Sequence, residues 1–116
     1  MNYALHEALR VVLEEGLEAA WRRHRQVHET FIREMSRLEI EPAVAESIRA
    51  PMINAIKIPA GVDDAKVRQR LYDDFNIEIG AGLGPLKGKI WRVGLMGYGS
   101  RVENVEILSK ALKQLI

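Results

Sequence analysis

Between Tyr3 and about Leu38 the chain keeps helical periodicity for longer than a domain of its size can hold, and this limits what it can fold into. The apolar positions Leu5, Leu9, Val12, Ala20, Val27, Phe31, Met35 and Leu38 recur at helical spacing, with glutamates and arginines between them. A continuous helix of that span would be roughly 54 Å long. A compact domain of 116 residues has a radius of gyration of only about 13 Å. The helix must therefore break, with Gly16 as the weak point, or overhang. An overhanging amphipathic helix leaves Leu5, Leu9 and Val12 with nothing in this chain to pack on, so a surface outside it is expected to cover them.

The remaining sequence reads as short alternating elements. After Glu41-Pro42, the stretch from Met52 to Ile58 alternates apolar and polar residues between prolines and predicts a half-buried strand. Asp63 is a good N-cap, and Val62 with Val67 has the spacing of a hydrophobic staple, which predicts a helix over Asp64 to Phe75 burying Val67, Leu71 and Phe75. Ile77-Glu78-Ile79 reads as a short strand and Lys89 to Met96 as a longer one, separated by a glycine-rich loop. Ser100 to Glu103 has the pattern of a capping box opening a last helix along Val105, Leu108, Leu112 and Leu115. The order α, β, α, β, β, α predicts an α+β fold: a small, mostly antiparallel sheet packed by helices and preceded by the long N-terminal helix. Residues 1–40 form that helix and 41–116 the α/β part, together one structural domain.

Composition narrows function mainly by exclusion. A formal charge of +1 from 17 basic and 16 acidic side chains supplies no long-range field for nucleic acid or an anionic membrane. The absence of cysteine removes disulfides, thiolate metal sites and cysteine nucleophiles. No apolar run is long enough for a membrane span, and glutamates interrupt the N-terminus where a signal peptide needs an apolar core. The chain is expected to be soluble and cytoplasmic, with neither nucleic acid nor membrane as partner.

The stretch from Gly80 to Gly94 packs five glycines, a proline, two lysines and an arginine between two apolar runs. It is no dinucleotide loop, because Pro85 and a strand follow where a helix should open. Nor is it a phosphate loop, because Gly88-Lys89 lies too far from Gly82 and Ile90 stands where Ser or Thr would be needed. The glycines either permit a tight turn or let backbone approach a ligand. In the following strand, alternation puts Trp91, Val93 and Leu95 on one face and Ile90, Arg92, Gly94 and Met96 on the other. Arg92 beside the bare Gly94 suits a carboxylate, which an arginine grips with two parallel hydrogen bonds. The alternative is an arginine lying over the sheet edge or paired with an acid. His24 and His28 have the spacing of a metal pair, but the arginines around them repel a cation and no further ligand completes a shell, so no metal site is expected. The run Trp21 to Arg25 could touch RNA or simply form a wet helix face. No catalytic constellation is apparent.

At Gly82 to Pro85, Gly88-Lys89, Ile90-Trp91, Arg92-Val93-Gly94, Leu95-Met96-Gly97 and Arg101 to Val105, the chain resembles the carboxy-terminal small domain of class V, fold-type I aminotransferases that use pyridoxal phosphate. Within them it is most similar to the alanine/serine:glyoxylate aminotransferase group. Leu5 to Arg10, Leu13 to Glu18 and Trp21 to His24 resemble the long helix joining large and small domains in that family, so the likeness covers essentially the whole chain. Ala81 departs from the usual glycine, and Tyr98-Gly99-Ser100 falls where members vary. The resemblance implies that Arg92 holds a substrate carboxylate, with Gly82, Leu83 and Gly84 lining the mouth of the active site. It implies a small amino acid or keto acid as substrate, pyridoxal phosphate held by a large domain not contained in this chain, and a homodimer in the intact enzyme. None of Lys57, Lys66, Lys87, Lys89, Lys110 or Lys113 has the context of a cofactor-anchoring lysine. The chain alone is expected to bind no cofactor and to lack transaminase activity. The competing expectation is a free-standing module that binds a small carboxylate or another protein without catalysis.

Overall fold

The computed structural model describes residues 2–116. The long helical region is two helices, α1 (Asn2–Glu15) and α2 (Leu17–Arg37), parted at Gly16. Gly16 adopts φ 84° and ψ 139°, a conformation open essentially only to glycine. The break is held by Arg23, whose Nε and Nη2 grip both oxygens of Glu15 at 2.6 and 2.8 Å. The same guanidinium donates through Nη1 to the carbonyls of Gly97 and Ser100, each at 2.8 Å. One side chain thus fixes the end of α1, the start of α2 and the loop before the last helix. The Arg23 contact also holds the Glu15 carboxyl below its ordinary range.

Three strands follow: β1 (Ile53–Lys57), β2 (Gly80–Ala81) and β3 (Ile90–Gly94), antiparallel in the order β1-β3-β2. Ala55 and Gly80 stand opposite Arg92, and Ile56 and Ala81 opposite Trp91. Helices α2, α3 (Asp64–Phe75) and α4 (Val102–Leu115) cover one face. Phe31 and Met35 of α2, Leu71 of α3 and Leu112 of α4 close over Trp91 and Ile56, all of them fully buried. This is the predicted α+β layer, built on the face expected from alternation.

Local chemistry explains most boundaries and the departures from them. Asp63 caps α3 by accepting from the Lys66 amide at 3.0 Å, as predicted. At the other end Asn76 turns left-handed at φ 54° and the Ile77 amide bonds back to the Leu71 carbonyl, which closes the helix. Ile77 to Ile79 is therefore not a strand. Its alternation reflects Ile77 and Ile79 packing onto the core, and pairing begins only at Gly80. The capping box before α4 does not form: Arg101 is the N-cap residue, without a side-chain cap. Ser100 is fully buried, its hydroxyl finds no partner among the described residues, and Glu103 is exposed. Arg23 holds the Ser100 carbonyl toward α2, and α4 starts one residue later than the sequence pattern suggests.

Helix α1 buries no side chain. Leu5, Leu9 and Val12 are 60%, 54% and 40% exposed, which agrees with the expected overhang. Among the described residues no helix is long and apolar enough to cross a membrane.

Candidate carboxylate site

Arg92 sits at the middle of β3, on the sheet face turned away from the helices. Its neighbours there are small: Ala55 on β1, Gly80 on β2 and Gly94 two residues along. A Cβ built on Gly80 would stand 3.3 Å from Arg92 Nη2 and 3.4 Å from Nε, so the missing side chain lets the guanidinium lie flat across the edge strand. There Nε donates to the Ala81 carbonyl at 2.7 Å. Among the described residues no acidic side chain pairs with Arg92, and its Nη atoms have no partner. Fixing Nε to a carbonyl leaves the Nη1–Nη2 edge, which accepts a carboxylate end-on through two parallel bonds. The arginine does lie over the sheet edge, but no ion pair occupies it.

Arg92 borders an open cavity of about 320 Å³ whose other walls include Val44, Arg49, Asn54, Ile53 and Leu86. That volume is at the small end for a ligand pocket and suits a small acid. Among the described residues no acidic side chain borders it. The glycine loop reaches the cavity through Leu86, which follows Gly84 and Pro85 in a single 3-10 turn. Gly82 is buried, and a Cβ there would fall 2.0 Å from the Leu86 carbonyl oxygen, so this glycine serves the tight return of the loop itself. Leu83 is exposed, Gly84 takes φ 54°, and neither borders the cavity of Arg92. The same return folds over Ile90, which is buried although alternation puts it on the outer face.

A larger groove of about 770 Å³ lies between α1, α2 and the loop before α4. It offers an anion little. Arg23 is saturated there by Glu15 and two carbonyls. Arg101 donates to the Tyr98 carbonyl and stacks 3.8 Å over its ring, while Glu14 and Glu103 add negative charge. The smaller cavity is the better site.

His24 and His28 do not face solvent together as a metal pair would. His24 Nδ1 lies 2.6 Å from the Ala20 carbonyl and Nε2 accepts the Gly97 amide at 3.0 Å. His28 Nδ1 meets Asn54 Oδ1 at 2.7 Å. Both are half-buried ties from α2 to other elements rather than a wet helix face. Among the described residues no cluster could hold a metal ion. The sequence reading passed over Arg49, although it is the only basic residue between Pro42 and Ile56; a lone cation leading into the strand that pairs with Arg92 was the available signal.

The lysines do not fit pyridoxal phosphate, which needs one of them in a sheltered site. Lys57, Lys66, Lys87, Lys89, Lys110 and Lys113 are all exposed, and none borders the cavity of Arg92.

No protein-family model matches the chain. It is 40% identical over 116 residues to the (S)-ureidoglycine–glyoxylate transaminase of Bacillus subtilis (strain 168), covering all of this chain and 28% of that protein. It is 36% identical over 115 residues to the alanine–glyoxylate aminotransferase of Rattus norvegicus, covering 98% of this chain and 28% of that one. The crystal structure of an alanine–glyoxylate aminotransferase from Nostoc sp. superposes with a TM-score of 0.96 at 44% identity, over 97% of this chain and 30% of that structure. The chain thus spans under a third of the length of the relatives it matches.

Proposed function

Because the chain belongs along its length to the alanine–glyoxylate group of class V aminotransferases and has the fold of their small domain, we propose that it supplies the substrate-carboxylate clamp, Arg92, to a pyridoxal-phosphate aminotransferase. The substrate is a small amino acid, and the acceptor a keto acid of the glyoxylate or pyruvate type. The cofactor supplies the electron sink for amino-group transfer and is held by a large domain, and the intact enzyme is a homodimer. This chain's part is to bind and orient. The end-on Nη edge of Arg92 fixes the carboxylate, the bare Gly80 lets the guanidinium lie flat beneath it, and Leu86 walls one side of the opening. By itself the chain has no transaminase activity.

The observation that carries this reading is the half-buried guanidinium of Arg92, oriented by the Ala81 carbonyl and facing an acid-free cavity. The exposed α1 stripe supports the need for a neighbour. Arg92→Ala in the intact enzyme is expected to raise the amino-acid KM and to leave cofactor absorbance unchanged. The loss in kcat/KM should be about 2–4 kcal/mol, roughly 30- to 900-fold. An unchanged KM for every amino acid tried rejects the role.

A further inference from the structure

The glycine loop sends one residue to the cavity of Arg92. Among the described residues of the 82–89 return only Leu86 borders it, and Leu86 is 48% exposed. Its backbone is fixed on both sides: the Leu86 amide donates to the Leu83 carbonyl and the Leu86 carbonyl accepts from the Lys89 amide, each at 3.0 Å. Pro85 stiffens this single turn. The Leu86 carbonyl oxygen lies where a Cβ of Gly82 would stand, so the return is already as tight as glycine allows. A ligand that overfills the cavity must therefore displace the turn itself. The strand neighbours of Arg92 add little bulk, Ala55 on β1 and Gly80 on β2, and Ile53, the next residue on the β1 face, stands a pair further away opposite Gly94. The loop, rather than the sheet, supplies the bulky apolar wall.

Resting on the reading of Arg92 as a carboxylate clamp, we propose that Leu86 is a specificity-determining residue. The part of a monocarboxylic amino or keto acid beyond the clamped carboxylate meets its side chain, which limits the substrate to a short chain. The tight return at Gly82 then serves selection by holding that wall in place.

The test begins with the 116-residue chain, in nuclear magnetic resonance titrations that follow the Arg92 Nε–H and the Leu86 methyl signals as acetate, butyrate or hexanoate is added. Acetate is expected to move the Arg92 signal alone, and butyrate to move the Leu86 methyls as well. In the intact enzyme, kcat/KM is then compared for alanine, 2-aminobutyrate and norvaline. Leu86→Ala should raise norvaline relative to alanine about tenfold, the scale of a methylene accommodated in an apolar pocket. Leu86→Phe should lower 2-aminobutyrate relative to alanine by a similar factor; unchanged core methyl signals in the 116-residue chain verify that both variants fold. Leu86 methyls that stay silent with every acid while the Arg92 signal moves, or substrate ratios unaltered in both variants, overturn the wall and leave the clamp standing. If no acid moves the Arg92 signal, the clamp fails and the wall with it.

Discussion

Asp64 ties the sheet to the helix that covers it. Its Oδ1 accepts Trp91 Nε1 at 2.9 Å and Arg68 Nε at 2.7 Å, so the one polar atom of the largest core side chain is satisfied at the first turn of α3. The Arg68 hydrogen bond, helped by Trp91, holds the Asp64 carboxyl below the ordinary range. A carboxyl with a depressed folded value contributes stability that is complete above the unfolded value, about 3.9, and is lost as pH falls through the folded one. Asp64→Ala should lower stability by about 1–3 kcal/mol by orphaning the Trp91 donor. Asp64→Asn keeps an acceptor and should lose less, but its stability should fall less steeply than the wild type below about pH 4. Denaturant titrations across that range decide; parallel curves for wild type and Asp64→Asn would deny the ionised pair its role. At this scale the sequence disclosed what depends on period. Alternation placed Arg92 opposite the core face, but it could not show that Ala81 orients the guanidinium or that Arg49 borders the same cavity from a segment over forty positions earlier, because such placements depend on register and loop path.

Among the elements, α3 was legible to its ends because Asp63 and Val62 act locally. The supposed strand at 77–79 was misread because alternation also arises where a helix closes and its tail packs inward. The long helix was legible as a conflict between length and compactness, and its resolution at Gly16 rests on a conformation only glycine readily takes. Gly16→Ala should therefore favour helical dihedrals there, merge α1 with α2 and pull Glu15 from Arg23. The chain has no cysteine, so spin labels at Leu5→Cys and Glu103→Cys can read the change. Their separation is expected to rise on the order of 10 Å, as a helix about 21 Å long swings into line. An unaltered distance distribution would show that the Glu15–Arg23 grip, rather than the glycine, sets the bend.

For the whole molecule, a radius of gyration of 15.3 Å and a longest dimension of 45 Å exceed what 116 compact residues need, and α1 accounts for the excess by packing nothing beneath it. The part that folds onto a core is a scaffold with helices on one sheet face and Arg92 on the other, and the relatives it matches are more than three times as long. On our reading the two faces divide the labour: the helix-covered face keeps the sheet rigid, and the bare face presents a cation to a substrate delivered by a cofactor domain. The most direct test is a crystal structure of the intact enzyme with a bound amino-acid substrate analogue. The account predicts both carboxylate oxygens about 2.7–2.9 Å from the Nη atoms of Arg92. A carboxylate seated on another residue, with Arg92 turned only to Ala81, would contradict it.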